Sequence, residues 1–569
     1  SVRVRPSVRP TMTAAASAVL AVATALVVVA TGAAAAASPG VLLFSDRNVG
    51  STNGVVGTTL YARKFANTRL ARHDAVAPHV LKPEATFYMH ASASPRGDEL
   101  CIMAVSVSGA LNQAGQVRAG VLGVAADGAV TSATMFDSLS RSERLSAVSN
   151  NPPRTPAACV FEQLSGDVLL VRALDDGADN GAVAYWTRTR GDASTLGAPV
   201  HLPRPAVMSK AGEHVRVAAV PGTDAAMLLA CMSSDSRACY AMVWDGDAWS
   251  ADAHEILGAT NSDSRGSADL ACVGAEHFTD GLGARCTVAL ASRSGGAVDV
   301  VHWRSASGFG DALRFTGGNA LRNTVAAVRL AAHGTALCMW VLDKNRQHTL
   351  LASPDGVTEA NAHEPNGEAE DGKLSFSGDV AFSQRSGQCV GVWAGKEGER
   401  GYAVWSRSGA WRDGAFPNSG TDGFSDTSNA QLRGVSLYAD PSPSSDAVLA
   451  VGLVSDNGGA ATALLWSGST WQTVDVASRA TQRYIDDGLT SDNDGMPLAF
   501  AFVVPPPPTA APTTPSPTTP SPTAPPGTPT DPPAAASPSS LGAPTRQLLT
   551  PGATAVPAPS SATAGSGGG

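Results

Sequence analysis

The sequence is poor in charged and aromatic residues. Of its 569 residues, 16% are charged and 5% are Phe, Trp or Tyr, and only six are lysines. The net charge is −9 and the pI is near 5.7. A chain of this composition has no basic surface of the kind that binds nucleic acid. We therefore exclude nucleic acid as a partner.

The common catalytic and metal-binding motifs are also missing. No C-x-x-C pair occurs, which excludes zinc sites of the finger and ribbon types. The H-E-x-x-H motif is absent, because the segments HEILG and HEPNG each lack the second histidine. Neither a G-x-S-x-G elbow nor a P-loop is present. The sequence thus gives no cofactor, no metal ligand and no catalytic residue.

The N-terminal segment has the features of a secretion signal. Three arginines precede a long apolar run that ends in small residues, and Ala35 and Ala37 satisfy an A-x-A cleavage rule. We predict a signal peptide over residues 1–37. The alternative is an uncleaved anchor, since the run is long enough to span a bilayer. Either interpretation places the protein outside the cell or at its surface.

The C-terminal segment changes abruptly to Pro, Thr and Ser. Residues 505–569 contain only two charges, Asp531 and Arg546. Proline lacks a backbone donor and favours an extended chain, so no packed core can form there. We predict a disordered, O-glycosylated stalk or cell-wall spacer. An undecorated flexible tail is the alternative.

A unit of short apolar strands and tight turns repeats between these two ends. The stretch 434–476 contains four short runs, and the turn sequences SDNGG and SGST separate the last three. Asn-Gly and similar turns between apolar runs are typical of antiparallel hairpins. Related third strands recur at intervals of roughly 50–60 residues, which is typical of propeller blades. Their predicted ends are Ala125, Trp186, Trp244, Trp303, Leu351, Trp405 and Trp466.

Seven of these units are complete, and an eighth can be assembled from both ends of the domain. The strands of 41–65 would pair with those of 480–504 and so remove the exposed sheet edges. We therefore predict an all-β fold over residues 38–504, a β-propeller of eight four-stranded antiparallel blades. A seven-bladed ring is the alternative.

Eight cysteines fit this layout. An even number in a secreted chain permits four disulfides. Opposite residues of antiparallel strands lie within disulfide reach, so two hairpin pairs are predicted. These pairs are Cys231 with Cys239 and Cys272 with Cys286. The other four cysteines are left open between buried thiols and two further bonds, Cys101–Cys159 and Cys338–Cys389.

Tryptophans flank the turn after the third strand in three units, as in MVWDGDAWS at 241–249. The favoured interpretation is that both rings pack into the gap between adjacent blades. The alternative is functional, because an aromatic face suits the apolar face of a pyranose ring. On that alternative the ligand-binding residues are Trp249, Trp411 and Trp471.

Two short segments carry family resemblances. The phrase WDGDAW resembles the corresponding turn of fungal fucose-binding propeller lectins. The turn SPDGV at 353–357 resembles a degenerate Asp-box, the turn motif of sialidase-type and sortilin-type propellers. These resemblances imply the blade pattern. Neither the sialidase arginine triad and Tyr–Glu pair nor the periodic Arg and Glu of the fucose lectins can be placed on this sequence.

The first strands of the repeats carry few charges. Two carboxylates, Asp269 and Asp379, are expected two blades apart, with no arginine cluster beside them. Glycoside hydrolysis needs two carboxyl groups roughly 5–10 Å apart across a sugar. The other charges predicted near the ring axis are Glu162, Arg216, Arg329, Asp486 and Asp487.

An acidic run at 486–494 could in addition offer oxygen ligands to Ca²⁺, but it lacks the bidentate Glu of an EF-hand loop. We interpret this run as a solvated turn, with no metal bound.

The predicted function is binding without turnover. A secreted or cell-surface propeller would engage a glycan or an extracellular protein as a monomer, with the membrane involved only through an uncleaved leader. Two alternatives stay open, a sialidase-like glycoside hydrolase and a structural component of a cell wall or matrix. The fold does not decide among them, because propellers perform all three tasks.

Overall fold

The structure is a computed structural model that describes the strands of the ring and their shorter connections. The described residues are 37–45, 58–71, 74–81, 85–107, 116–136, 157–173, 181–192, 196–203, 212–232, 239–256, 268–292, 295–358, 361–365, 368–369, 377–395, 400–407, 409–417, 432–454, 460–476 and 498–504. The predicted leader up to residue 36, the acidic run at 486–494 and the tail from 505 lie outside these residues.

Eight sheets form the blades of a ring, and their strands pair antiparallel except for one short parallel pair in the sheet that closes the ring. The first four strands along the chain are β1 (Gly40–Ser45), β2 (Thr58–Ala66), β3 (Arg69–Leu70) and β4 (Asp74–Leu81). Blade 1 follows with β5 (Ala85–Ala93), β6 (Glu99–Val107), β7 (Gln116–Val124) and β8 (Val130–Phe136). Blade 2 has β9 (Ala157–Phe161), β10 (Val168–Ala173), β11 (Gly181–Arg188) and β12 (Val200–Pro203). Blade 3 has β13 (Gly212–Ala219), β14 (Ala226–Met232), β15 (Cys239–Trp244) and β16 (His254–Ile256).

The remaining blades repeat this order. Blade 4 has β17 (Ala268–Val273), β18 (Arg285–Ala291), β19 (Val298–Arg304), β20 (Gly308–Phe309) and β21 (Leu313–Phe315). Blade 5 has β22 (Val325–His333), β23 (Ala336–Asp343), β24 (His348–Ser353) and β25 (Asn361–His363). Blade 6 has β26 (Gly378–Phe382), β27 (Cys389–Ala394), β28 (Arg400–Trp405) and β29 (Arg412–Gly414). Blade 7 has β30 (Leu432–Ala439), β31 (Val448–Val454), β32 (Ala460–Trp466) and β33 (Trp471–Thr473), followed by β34 (Asp475–Val476) and β35 (Leu498–Phe502).

The eighth sheet, which we call the closing blade, combines strands from both ends of the ring. Its innermost strand is the C-terminal β35, which pairs antiparallel with β1, and β1 pairs with β2. The first strands of successive blades contact one another around the ring, and β35 contacts those of both blade 7 and blade 1. Closure from both ends is therefore confirmed, and the seven-bladed alternative is wrong.

The hydrophobic core lies between blades, because each inner sheet is covered on both faces by its neighbours. All six residues of β10 and all eight of β23 are buried. Strands buried on both faces have continuous apolar sequences instead of alternating ones. This explains why the repeat shows apolar runs such as VLLVRA at 168–173.

The paired tryptophans are part of this packing. Trp244 and Trp249 lie 5.5 Å apart between ring centroids, and Tyr185 of blade 2 contacts both rings at 5.9 and 6.0 Å. In the same way, Tyr402 of blade 6 contacts Trp466 and Trp471 of blade 7 at 5.8 and 5.7 Å. For these two pairs the packing interpretation is confirmed.

All eight cysteines are bonded in four disulfides. Two lie within single blades, across hairpins with Cα atoms 4.0 Å apart, and are Cys231–Cys239 and Cys272–Cys286. The other two join neighbouring blades, and are Cys101–Cys159 and Cys338–Cys389. Both predicted hairpin disulfides are therefore confirmed. Of the two alternatives for the other four cysteines, the structure shows two further disulfides and not buried thiols.

None of the described segments is a helix with the length and hydrophobicity that a membrane crossing requires.

Candidate functional site

The first strands of the blades enclose a cavity of about 320 Å³ at the centre of the ring, which we call the axial cavity. Its wall combines apolar side chains with several polar and charged ones. The lining residues include Tyr88, Met89, His90, Arg216, Asp269, Leu270, Arg329, Asp379, Ser436, Leu437, Tyr438 and Leu498.

Four charged side chains alternate in sign around this cavity. Blades 3 to 6 contribute Arg216, Asp269, Arg329 and Asp379 in that order, one from each first strand. Arg216 Nε lies 3.1 Å from Asp269 Oδ1. Burial alone would lower the pKa of Arg216, but Asp269, Tyr88 and Asp379 together outweigh it and raise that pKa. Arg329 interacts electrostatically with both carboxylates.

The prediction that no arginine cluster accompanies the two carboxylates is therefore wrong. Arg216 and Arg329 occupy first strands, as Asp269 and Asp379 do. In the sequence each of the four charged residues is followed by Val or Leu within a predicted first strand. A charged residue at a matching place in four successive first strands is the signal that could have identified the cluster.

Each carboxylate also holds the neighbouring blade. Asp269 Oδ2 accepts a hydrogen bond of 2.9 Å from the backbone N–H of Leu330 in blade 5. Asp379 Oδ2 accepts one of 2.8 Å from the N–H of Leu437 in blade 7. The inner edge of a first strand has no ladder partner, so these side chains satisfy backbone donors that a sheet edge would leave unpaired.

His90 makes the same kind of link from blade 1 to blade 2. Its Nδ1 accepts a hydrogen bond of 3.3 Å from the N–H of Cys159. Burial lowers the pKa of His90 to about 3. The ring is therefore neutral, and its proton lies on Nε2, which remains a hydrogen-bond donor.

The two tyrosines of the cavity are protonated. Burial raises the pKa of Tyr88 despite the nearby arginines, and burial likewise raises the pKa of Tyr438. Arg216 Nη1 donates to the Tyr88 hydroxyl at 3.4 Å. A phenol with a raised pKa is a poor nucleophile but a good hydrogen-bond donor.

The carboxyl of Asp379 should make stability depend on pH. Burial raises its pKa from 3.8 to about 6, although Arg329 and two backbone N–H groups oppose this. Because the folded pKa exceeds the unfolded one, the stability contribution is complete below pH 4 and is lost as the pH rises through 6. The free energy of unfolding of the wild type should therefore decrease between pH 4 and pH 7.5. Compared with the same change in Asp379→Asn, the extra decrease should be at most roughly 3 kcal/mol.

Urea denaturation of both proteins at four pH values across this range measures the effect. Parallel stability curves for the wild type and Asp379→Asn would contradict the assignment.

Glu162, which was predicted near the axis, lies elsewhere. It follows β9 and accepts a hydrogen bond of 2.6 Å from Trp244 Nε1 of blade 3. It also accepts one of 2.5 Å from the Ser165 hydroxyl. Burial raises the pKa of Glu162. This carboxyl therefore joins two blades outside the axial cavity, while Asp486 and Asp487 lie outside the described residues.

A second depression, the Trp411 cleft, lies between blades 5 and 6 and has a volume of about 360 Å³. Its lining residues are Asn361, Ala362, Arg407, Gly409, Ala410 and Trp411. Trp411 Nε1 donates to the backbone oxygen of Asn361 at 3.1 Å, and Arg407 Nη2 donates to that of His333 at 2.9 Å. These bonds fix one indole and one guanidinium in the wall of the cleft.

The three candidate tryptophans differ in exposure. Trp249 and Trp471 are only 8% and 6% exposed, and neighbouring aromatic rings contact both. Trp411 is half-buried, and His363 stacks against it at 6.2 Å. Trp411 is the most exposed of the three, and it lines the cleft.

The Asp-box-like turn of blade 5 has a structural role. Asp355 Oδ1 accepts hydrogen bonds from the N–H groups of Val357 and Thr358 at 2.9 and 2.7 Å. Burial would raise the pKa of Asp355, but these bonds and those from the hydroxyl groups of Thr358 and Ser353 lower it to about 2. Gly356 follows with a φ of +77°, a conformation that favours glycine. The carboxylate therefore organises a tight turn.

Within the described part of the chain, no group of three or more His, Cys, Asp or Glu side chains is arranged to hold a metal ion.

Comparisons with known proteins find similarity in structure and none in sequence. No family model matches the chain, and no curated protein does. A lectin from Burkholderia pseudomallei matches at 13% identity and a TM-score of 0.42, covering 69% of this chain and 99% of that one. The six-bladed lectin of Aleuria aurantia matches at 11% identity, with 58% and 95% covered and a TM-score of 0.31.

A putative 6-phosphogluconolactonase from Bacteroides fragilis matches at 11% identity, with 66% of this chain and 94% of that one covered and a TM-score of 0.36. The structural neighbours of this β-propeller thus include lectin propellers and a putative enzyme, and at these TM-scores they assign neither a ligand nor a reaction to it.

Proposed function

We propose that this chain is a secreted, glycan-binding β-propeller that holds its ligand without turning it over. The observation that carries the proposal is the Trp411 cleft, in which an indole borders an open depression beside a guanidinium and an amide. Glycan sites commonly combine an aromatic face for the C–H groups of the sugar with a few fixed polar groups for its hydroxyls.

The roles within the cleft follow from the side chains. The Trp411 ring would support the apolar face of a pyranose. Arg407 would donate to ring hydroxyls, and the Asn361 side chain could both donate and accept. Because Trp411 and Arg407 already bond to blade 5, little side-chain freedom is lost on binding.

Replacement of Trp411 should abolish glycan binding at the cleft. We expect Trp411→Ala to lose the array signal that depends on the cleft in the full chain, because the aromatic platform is removed. Trp411→Tyr should retain part of the signal. Val357→Ala serves as the control, since Val357 is 60% exposed on blade 5 and does not line the cleft. Equal array signals for wild type and Trp411→Ala would refute the role of the cleft.

Secretion of the chain is part of the proposal. Four disulfides are typical of oxidising compartments. A leader ending near Ala37 and an O-glycosylated stalk from 505 would then place a monomeric ring outside the cell or in its wall. An intact-mass measurement on the mature protein tests both modifications.

One observation favours the hydrolase alternative. The axial cavity gathers two carboxyls, and one of them, Asp379, has a pKa raised by burial to about 6, as a general acid requires. Against it, Asp269 and Asp379 both accept backbone N–H groups of adjacent blades, and Tyr88 is held protonated. These contacts give the carboxyls a structural task, and we therefore favour binding.

A further inference from the structure

We propose that the axial cavity is a second binding site, separate from the Trp411 cleft, which takes a single neutral sugar residue. Three features of the cavity support this proposal: its size, the alternating charges of its wall and the hydroxyl groups of its wall.

The size of the cavity suits one sugar ring. Small-molecule sites usually measure about 300–1,000 Å³, and the axial cavity, at about 320 Å³, lies at the lower end of that range. Arg216 and Asp269 keep side-chain exposures of 16% and 13%, so water reaches both groups. A ligand of this size would contact several blades at once.

The charge balance favours a neutral ligand. Two arginines and two aspartates sum to zero when all are ionised, and Arg216 is already paired with Asp269. A ligand with a net charge would leave that charge uncompensated in a half-buried site, which is costly. A zwitterion would also lose the hydration of two full charges, whereas hydroxyl groups cost much less to desolvate.

The hydrogen-bonding groups match a set of hydroxyls. Asp269 and Asp379 supply acceptors, and the arginines supply donors in a planar fork. Ser436 and the neutral His90 add weaker partners from blades 7 and 1. A carboxylate and a guanidinium on adjacent blades can bind neighbouring hydroxyls of one ring, the first by accepting and the second by donating.

The wall of the axial cavity also contains apolar side chains. The aliphatic groups in the wall are Met89, Leu270, Leu437 and Leu498. Met89, Leu270 and Leu437 keep 3%, 9% and 9% of their surface exposed and would contact the C–H groups that a pyranose presents between its hydroxyls, whereas Leu498 is fully buried. A wall that combines apolar side chains with balanced polar groups suits a sugar better than a simple ion.

Isothermal titration of the full chain carrying Trp411→Ala tests this site, since binding that remains in that variant is independent of the cleft. The probes are methyl α-D-glucoside, methyl β-D-galactoside and methyl α-D-mannoside, with glucuronate and glycine betaine as charged probes. We expect saturable one-to-one binding of at least one neutral glycoside. The affinity should fall at least about tenfold with Arg329→Lys, which keeps the charge but not the planar fork, and about threefold with Ser436→Ala, which removes one weaker hydrogen-bonding partner.

Val357→Ala in the same background is the matched control and should leave the affinity unchanged. Ser436→Ala keeps the test available if Arg329→Lys does not fold. The proposal is overturned if no neutral glycoside binds, if a charged probe binds more tightly, or if both variants keep the full affinity. Loss of array binding in Trp411→Ala, by contrast, concerns only the cleft.

Discussion

Replacement of Phe500 by Ala should lower the free energy of unfolding by about 3–5 kcal/mol. Phe500 lies in β35 and is 1% exposed. Its ring packs edge-on against Phe65 of β2 at 5.7 Å and contacts Tyr438 of blade 7 at 5.5 Å. The same side chain thus joins the C-terminal strand, the N-terminal strands and the adjacent blade. Its removal would leave a cavity at the point where the ring closes.

Chemical denaturation of the full chain measures this loss. Leu164→Ala is the control, because Leu164 is 61% exposed and such a surface change should stay within about 0.5 kcal/mol. An effect of Phe500→Ala as small as that of the control would mean that β35 does not close the ring in solution.

Removal of an inter-blade disulfide should cost more than removal of a hairpin disulfide. Cys101–Cys159 closes a separation of 58 residues and Cys231–Cys239 one of 8. The chain-entropy model then gives losses of about 4 and about 2.5 kcal/mol, respectively. The longer loop restricts the unfolded chain more strongly.

Double substitutions to Ala at each pair, compared by urea denaturation, test the order of these losses. Peptide mapping without reduction first establishes that the wild-type bonds are present. Equal losses, or a larger loss for the Cys231–Cys239 pair, would contradict the chain-entropy account.

The architecture could be predicted because its signals are local and repeated. Each hairpin is marked by a turn and two apolar runs, and the interval between units is nearly constant, so blade number and closure follow from counting. The Cys231–Cys239 pair is also a local feature, since the two cysteines are 8 residues apart and lie opposite each other on consecutive strands. These predictions needed no knowledge of how blades pack.

The axial charges were harder to assign because they come from strands about 50–60 residues apart. Arg216, Asp269, Arg329 and Asp379 meet only when the register of each first strand is known. A shift of one residue would turn any of them away from the axis. Isolated charges in apolar strands therefore looked sparse in the sequence, although the fold brings them together.

The exposure of the tryptophans depends on the preceding blade in a similar way. Trp249 and Trp471 are contacted by Tyr185 and Tyr402, each from a third strand of the blade before. The ring stacked on Trp411 comes instead from His363 in a fourth strand. Three similar turns thus yield two packed indoles and one at a cleft, a difference that the turn sequences do not contain.

The central claim is binding without turnover, and recovery of the ligand tests it most directly. The full chain would be incubated with a glycan identified on the array, and with a panel of chromogenic glycosides and sialosides, and the ligand would be quantified by chromatography over time. The account predicts saturable binding with all of the glycan recovered intact. Steady release of cleaved product by the wild type, abolished by Asp269→Asn or Asp379→Asn, would contradict it and make those carboxyls catalytic.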